Sequence, residues 1–206
     1  MFRRAEFRLA AFLLALVATA ALIHGPVQAQ FRGGYAFLQA VESRDGTKAT
    51  EALNNDNTLI NTRHPESGET ALAIVAKRRD ATWLRFLLAK DADPAIADRQ
   101  GMTPLMHAAL LNFTDGAQEL LDAKAPVDQT NRRGETALIL AVQTKNVAMV
   151  RLLMRSGANP DKADHTTGMS ARAYAKRDDR TGQLITILDA KVDGPGRDLG
   201  PSIGPN

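Results

Sequence analysis

The stretch "GMTPLMHAALLNF", Gly101 to Phe113, decides the reading of this 206-residue chain. Thr103 is a residue type that caps a helix start, and Pro104 suits the first helical turn, where no N–H is needed. Ala108 and Ala109 are small enough to let a neighbouring helix approach closely. Leu110, Leu111 and Phe113 then stay apolar where a short surface helix should turn polar.

The stretch is one copy of a pattern. Gly68-Glu-Thr-Ala-Leu72 and Gly134-Glu-Thr-Ala-Leu138 match it, and Gly168-Met-Ser-Ala-Arg172 is a weaker copy. The glycines stand 33, 33 and 34 residues apart. Leu87-Leu88, Leu120-Leu121 and Leu153-Met154 follow them by 19 and 20 residues. Trp83, Leu84, Leu87 and Leu88 in one copy, and Met149, Val150, Leu153 and Met154 in another, have the spacing of an apolar helical stripe. These stripes, the Leu121 side chain included, are expected in the core. One pair of helices cannot bury such a stripe alone, so stacked neighbours must cover it.

A 33-residue period with a capped helix, a second helix and a turn resembles the ankyrin repeat, whose helix start reads Thr-Pro-Leu-His. The resemblance implies an all-α solenoid of stacked helix-turn-helix units with short β-turn or hairpin fingers. It covers residues 34–190, as repeats at about 34–67, 68–100, 101–133, 134–167 and 168–190, with the two end repeats acting as caps. Two departures stand out. The family's histidine is replaced by Ala73, Met106 and Ile139, so the hydrogen bonds it makes with Thr should be missing. The glycine common between the two helices is replaced by Arg79, Asn112 and Lys145.

The ends of the chain have their own logic. Arg3, Arg4 and Arg8 precede the uncharged, largely apolar run Leu9–Ile23, and Val27-Gln28-Ala29 offers small residues for cleavage. This is the three-part pattern of a secretory signal. Residues 1–29 are therefore expected to be a signal peptide and 30–33 a short linker. A soluble periplasmic protein without a stable membrane anchor should result. Removal of three arginines and one glutamate lowers the net charge from +3 to +1, which gives nucleic-acid binding no support. Residues 191–206 are Gly/Pro-rich and lack apolar periodicity, so a disordered tail is expected. The chain has no cysteine, which excludes disulfides, thiol nucleophiles and cysteine zinc sites.

Converging catalytic groups are not legible. His64 and His165 fall in equivalent turns three repeats apart, too distant to share a metal. His107 takes the family's leucine position and is expected to be packed. Asp178-Asp179 belongs on a solvated turn. There is no phosphate loop or nucleotide fingerprint, and no cofactor, metal or catalytic residue is expected.

The resemblance implies a non-catalytic, monomeric module that binds a partner protein through its concave face, built from finger tips and inner-helix ends. Met102, Leu110 and Leu111 should form its apolar centre, with Phe113 half-buried beneath. Lys77, Arg78, Arg99, Arg132, Arg133 and Arg177 should ring it, with Gln143 alongside, and would favour an acidic partner surface. The alternatives are a scaffold that supports a periplasmic enzyme, or an enzyme whose site the pattern hides.

Overall fold

The computed structural model describes residues 26–179 and 182–190. They form ten α-helices and one 3-10 helix, and the only β structure among them is two isolated bridges. The expected signal run Leu9–Ile23 and the tail 191–206 lie outside the described residues.

The chain divides into two units, Met1–Thr62 and Arg63–Asn206. In the first, α1 (Pro26–Glu42) packs on α2 (Gly46–Asn55) and on the 3-10 helix Asn57–Asn61. Phe37, Leu38, Val41, Ala49, Leu53, Leu59 and Ile60 are buried there. Residues 30–33, expected to be a linker, lie inside α1. Gly33-Gly34 lies inside this helix although glycine is a poor helix former.

The second unit holds four helix pairs. Inner helices are α3 (Ala71–Lys77), α5 (Pro104–Leu110), α7 (Ala137–Gln143) and α9 (Ala171–Asp178). Outer helices are α4 (Ala81–Leu88), α6 (Thr114–Asp122), α8 (Val147–Arg155) and α10 (Gln183–Asp189). Inner helices pack on inner, and outer on outer, in chain order. Thr70, Thr103, Thr136 and Ser170 each cap an inner helix by accepting from the backbone N–H three residues on.

The core runs in columns. Leu72, Leu105 and Leu138 form one, Leu84, Ala117, Val150 and Leu184 another, and Leu87, Leu120, Leu153 and Ile187 a third. The second residue of each leucine pair is less deeply placed. Leu88 and Leu121 are half-buried and only Met154 is buried, because those side chains sit at the edge of the outer-helix stripe. Trp83 is likewise half-buried, edge-on to Phe86 at 5.4 Å. Ala73, Met106 and Ile139, which replace the family's histidine, are almost wholly buried, so the core has taken over that position.

Arg79, Asn112 and Lys145 adopt φ of 56°, 56° and 55° between the paired helices, the left-handed conformation glycine would take more easily. Their N–H groups bond back to Ala76, Ala109 and Val142.

Between pairs the chain makes tight fingers, closed where the N–H groups of His64, Asp98, Asn131 and Asp164 reach the carbonyls of Glu69, Met102, Glu135 and Met169. The first and last fingers are one residue longer, which accounts for the 34-residue glycine spacing at the end. Consecutive fingers are tied by single backbone bonds: Arg99 N–H to Ser67, Arg132 to Gln100, and His165 to Arg133, at 2.9, 3.0 and 2.7 Å. A Cβ on Gly101 would lie 2.8 Å from the Arg132 nitrogen, whereas one on Gly168 would meet no described residue within 4 Å.

In the last pair the leucine column ends at Arg172, which bridges Asp161 at 2.7 Å and also pairs with Asp189. A polar residue at a stacking position closes a repeat array at its end.

Gly101 and Gly168 separate two costs. Both have positive φ, at 79° and 69°, so alanine at either should lose about 1–2 kcal/mol of backbone preference. Gly101→Ala must also push the next finger away and should destabilise clearly more than Gly168→Ala. Chemical denaturation of the two variants checks this; equal losses would mean that the finger ties are energetically idle.

Candidate functional site

The finger face of the second unit gathers the groups that the sequence singles out. Leu110 is 43% exposed and Leu111 38%, among the few large apolar side chains left open to solvent. They end α5, where the flanking inner helices carry Lys77-Arg78 and Gln143-Thr144. Neighbouring helices do not cover them, so they are surface and not inter-repeat core. Met102 is half-buried, and its sulfur accepts from Asn131 Nδ2 at 3.4 Å.

Phe113 is different. It is 6% exposed and belongs to the core. It stands where Asp80 and Asn146 cap their outer helices, and it supplies no cap. Its ring instead fills the space beside Gly116, where a Cβ would come within 2.1 Å of the ring. Phe113 is thus a packing residue under the surface, not a contact on it.

The basic residues mostly have partners. Lys77 Nζ donates to Glu69 at 2.5 Å, Arg133 bonds Glu135 at 2.7 Å, and Arg177 grips Asp178 through two bonds of 2.7 Å. Arg78 turns toward Asp80 at 3.4 Å. The Arg177 guanidinium also lies 5.0 Å from the centre of the Tyr174 ring. Arg99 and Arg132 face no carboxylate among the described residues. The Arg99 guanidinium donates to the Pro65 carbonyl, and Arg132 is exposed at its finger tip. The expected ring of cations therefore reduces to two uncompensated finger-tip arginines. Gln143 is exposed and uncharged.

A row of buried polar groups underlies the face. Asp98 is 8% exposed; its Oδ1 accepts from the N–H groups of Gln100 and Met102, and its Oδ2 lies 3.1 Å from His107 Nε2. His107 is packed, as its sequence position implies, at 8% exposure. Burial holds its pKa below 6.5, against the opposing pull of Asp98. The imidazole is neutral at neutral pH, and that contribution to stability is lost as pH falls below 6.5. One repeat on, Asn131 bonds Glu135 at 2.7 Å. In the last pair, Tyr174 Oη donates to Asp164 Oδ2 at 2.7 Å, and Thr166 and Thr167 donate N–H groups to Oδ1. Tyr174 and His107 hold equivalent helical positions, so each ties a finger aspartate to its own inner helix. Burial alone would raise the Asp164 pKa; these donors, with the Thr167 hydroxyl, bring it down to about 2.

Glu69, from the preceding finger, reaches the same place as Asp98 and His107. One ligand-type atom from each of the three lies within 4.8 Å of the others. The sequence did not make this grouping legible, because Glu69 and His107 stand in different repeats and neither is unusual alone.

Comparisons with known proteins agree with this architecture. The family model for ankyrin repeats in three copies matches residues 37–131, and that for a single ankyrin repeat matches 133–165. The chain belongs to the ankyrin repeat family. It is 34% identical over 110 residues to an ankyrin repeat-containing protein of Treponema pallidum (strain Nichols), covering 53% of this chain and 37% of that protein. Against neurogenic locus notch homolog protein 1 of Danio rerio it is 31% identical over 135 residues, 65% of this chain and 5% of the other. Against inversin of Mus musculus it is 44% identical over 62 residues, 30% and 6% respectively. Ankyrin repeats are protein–protein interaction modules and are generally non-catalytic.

Asp164 gives the last finger an acid-sensitive tie. Its folded pKa lies below the ordinary 3.8, so its stabilising contribution is complete above about pH 4 and is lost as pH falls toward 2. Asp164→Asn should lower the melting temperature at pH 7 and flatten the loss between pH 4 and 2. Thermal melts across that range check it.

Proposed function

We propose that this array is exported to the periplasm and holds a partner protein against its finger-bearing, concave face without catalysing a reaction on it. The partner presents an apolar side chain to Met102, Leu110 and Leu111, and a carboxylate to Arg99 and Arg132. The exposure of Leu110 and Leu111, at the end of an inner helix whose neighbours are polar there, carries the reading. An apolar centre within a polar rim concentrates binding energy in the middle of an interface. Lys77, Arg133 and Arg177 are neutralised by this chain's own carboxylates, so their role is to keep the rim wet and selective.

Leu110→Ser with Leu111→Ser should weaken capture of the partner about tenfold or more. Each change should move stability by only about 0.5 kcal/mol, as surface substitutions usually do. Arg132→Glu should mainly slow association and lower its salt dependence. A leucine double variant that binds as the parent does would remove the face from consideration, and one that unfolds would make those residues core.

Export rests on the basic start, the apolar run Leu9–Ile23 and the small residues before Gln30. The mature chain should begin at Gln30. Intact-mass measurement on the exported protein checks this, and a periplasmic product still carrying Leu9–Ile23 would refute it.

A further inference from the structure

We propose that Glu69, Asp98 and His107 form a site for a divalent transition-metal ion such as zinc, which clasps two consecutive repeats. The three come from separate segments: Glu69 from one finger, Asp98 from the next, and His107 from α5 behind them. His107 and Asp98 are both buried to more than nine-tenths. Imidazole with two carboxylates is a ligand set that zinc accepts, and three protein ligands leave a position for water.

The spacing is close to what a metal needs. Tetrahedral zinc with bonds of about 2.0–2.1 Å sets its ligand atoms about 3.3 Å apart. His107 Nε2 and Asp98 Oδ2 are already 3.1 Å apart. Asp98 is aimed by two backbone donors on its other oxygen, so Oδ2 is held in place. Only Glu69 must close in, from within 4.8 Å, and its longer side chain can do so by rotation.

Charge points the same way. Glu69 and Asp98 supply two negative charges, and the charged group set against them is Lys77, whose ammonium lies 2.5 Å from Glu69. Ser67 Oγ donates to the other Glu69 oxygen but carries no charge. Lys77 balances only one of these two negative charges in a largely buried cluster. A divalent ion would take the place of the ammonium, and the Lys77 side chain, 47% exposed, is free to swing into solvent. In the metal-free chain Nε2 donates its hydrogen to Asp98, so ligation requires the other tautomer, with the hydrogen on Nδ1.

Among the described residues the set occurs once. The helical positions equivalent to His107 hold Ile74, Leu140 and Tyr174, and those equivalent to Glu69 hold Met102, Glu135 and Met169. Leucine fits the equivalent position in the next repeat, where Asn131 and Glu135 satisfy each other. The site does not depend on whether the face binds a protein.

The test is calorimetric titration of the chelator-stripped full chain with zinc chloride, with cobalt(II) absorption as a report on the ligand field. One ion per chain should bind and raise the melting temperature. His107→Leu and Glu69→Gln should each weaken binding about tenfold or more. Glu69→Gln should melt near the parent in chelator, whereas His107→Leu should melt lower, because Asp98 Oδ2 loses its buried partner. Lys77→Met should tighten binding, since it removes the competing cation. His165→Gln should leave it unchanged. Absence of saturable binding overturns the proposal. So does binding that survives both ligand variants, weakens in Lys77→Met, or is matched by magnesium without dependence on His107. Should His107→Leu fail to fold, the Glu69 and Lys77 variants still decide.

Discussion

One backbone hydrogen bond between consecutive fingers governs much of the second unit, and it exists because a glycine leaves room for it. The carbonyl before each of Gly68, Gly101 and Gly134 accepts from the residue one repeat on, at a distance a Cβ would obstruct. The glycine's positive φ turns that carbonyl toward its neighbour. Register then propagates. Arg63 reaches the Ala97 carbonyl, Gln129 that of Ala95, and Lys162 that of Asp128, each 34 residues away. With register set, the leucine columns align and each stripe finds its cover.

The periodic part of this design is legible in sequence because stacking imposes the same demands on every unit. Glycine, threonine cap and buried leucine recur at fixed intervals for steric and hydrogen-bonding reasons that do not vary along the array. Depth within the stripe is harder to read. Leu120 and Leu121 are the same residue, yet the twist of α6 buries one and leaves the other at the edge. Phe113 misleads for a different reason. Its position is polar in the flanking pairs, so an apolar residue there resembles a surface contact. Only the absent side chain of Gly116 shows where its ring goes.

The candidate site divides in the same way. Exposure of Leu110 and Leu111 follows from local helical position, which the repeat fixes. The state of the cations does not, because partners such as Glu69 for Lys77 and Glu135 for Arg133 come from finger geometry. Charge counted along the chain therefore overstates the field at the face. Equally, the meeting of Glu69, Asp98 and His107 requires two repeats to be placed side by side before it can be seen.

The last helix pair treats its two stacking systems differently. Gly168 keeps the open, positive-φ conformation although no described residue lies against it, while Arg172 has replaced the leucine of the column and is held by Asp161 and Asp189. The fingers have retained the means to accept another unit, and the helices have lost it. Lengthening the array is therefore a problem in the hydrophobic layer alone. It would require an apolar residue at 172 and new solvation for two abandoned carboxylates, with the finger left as it stands.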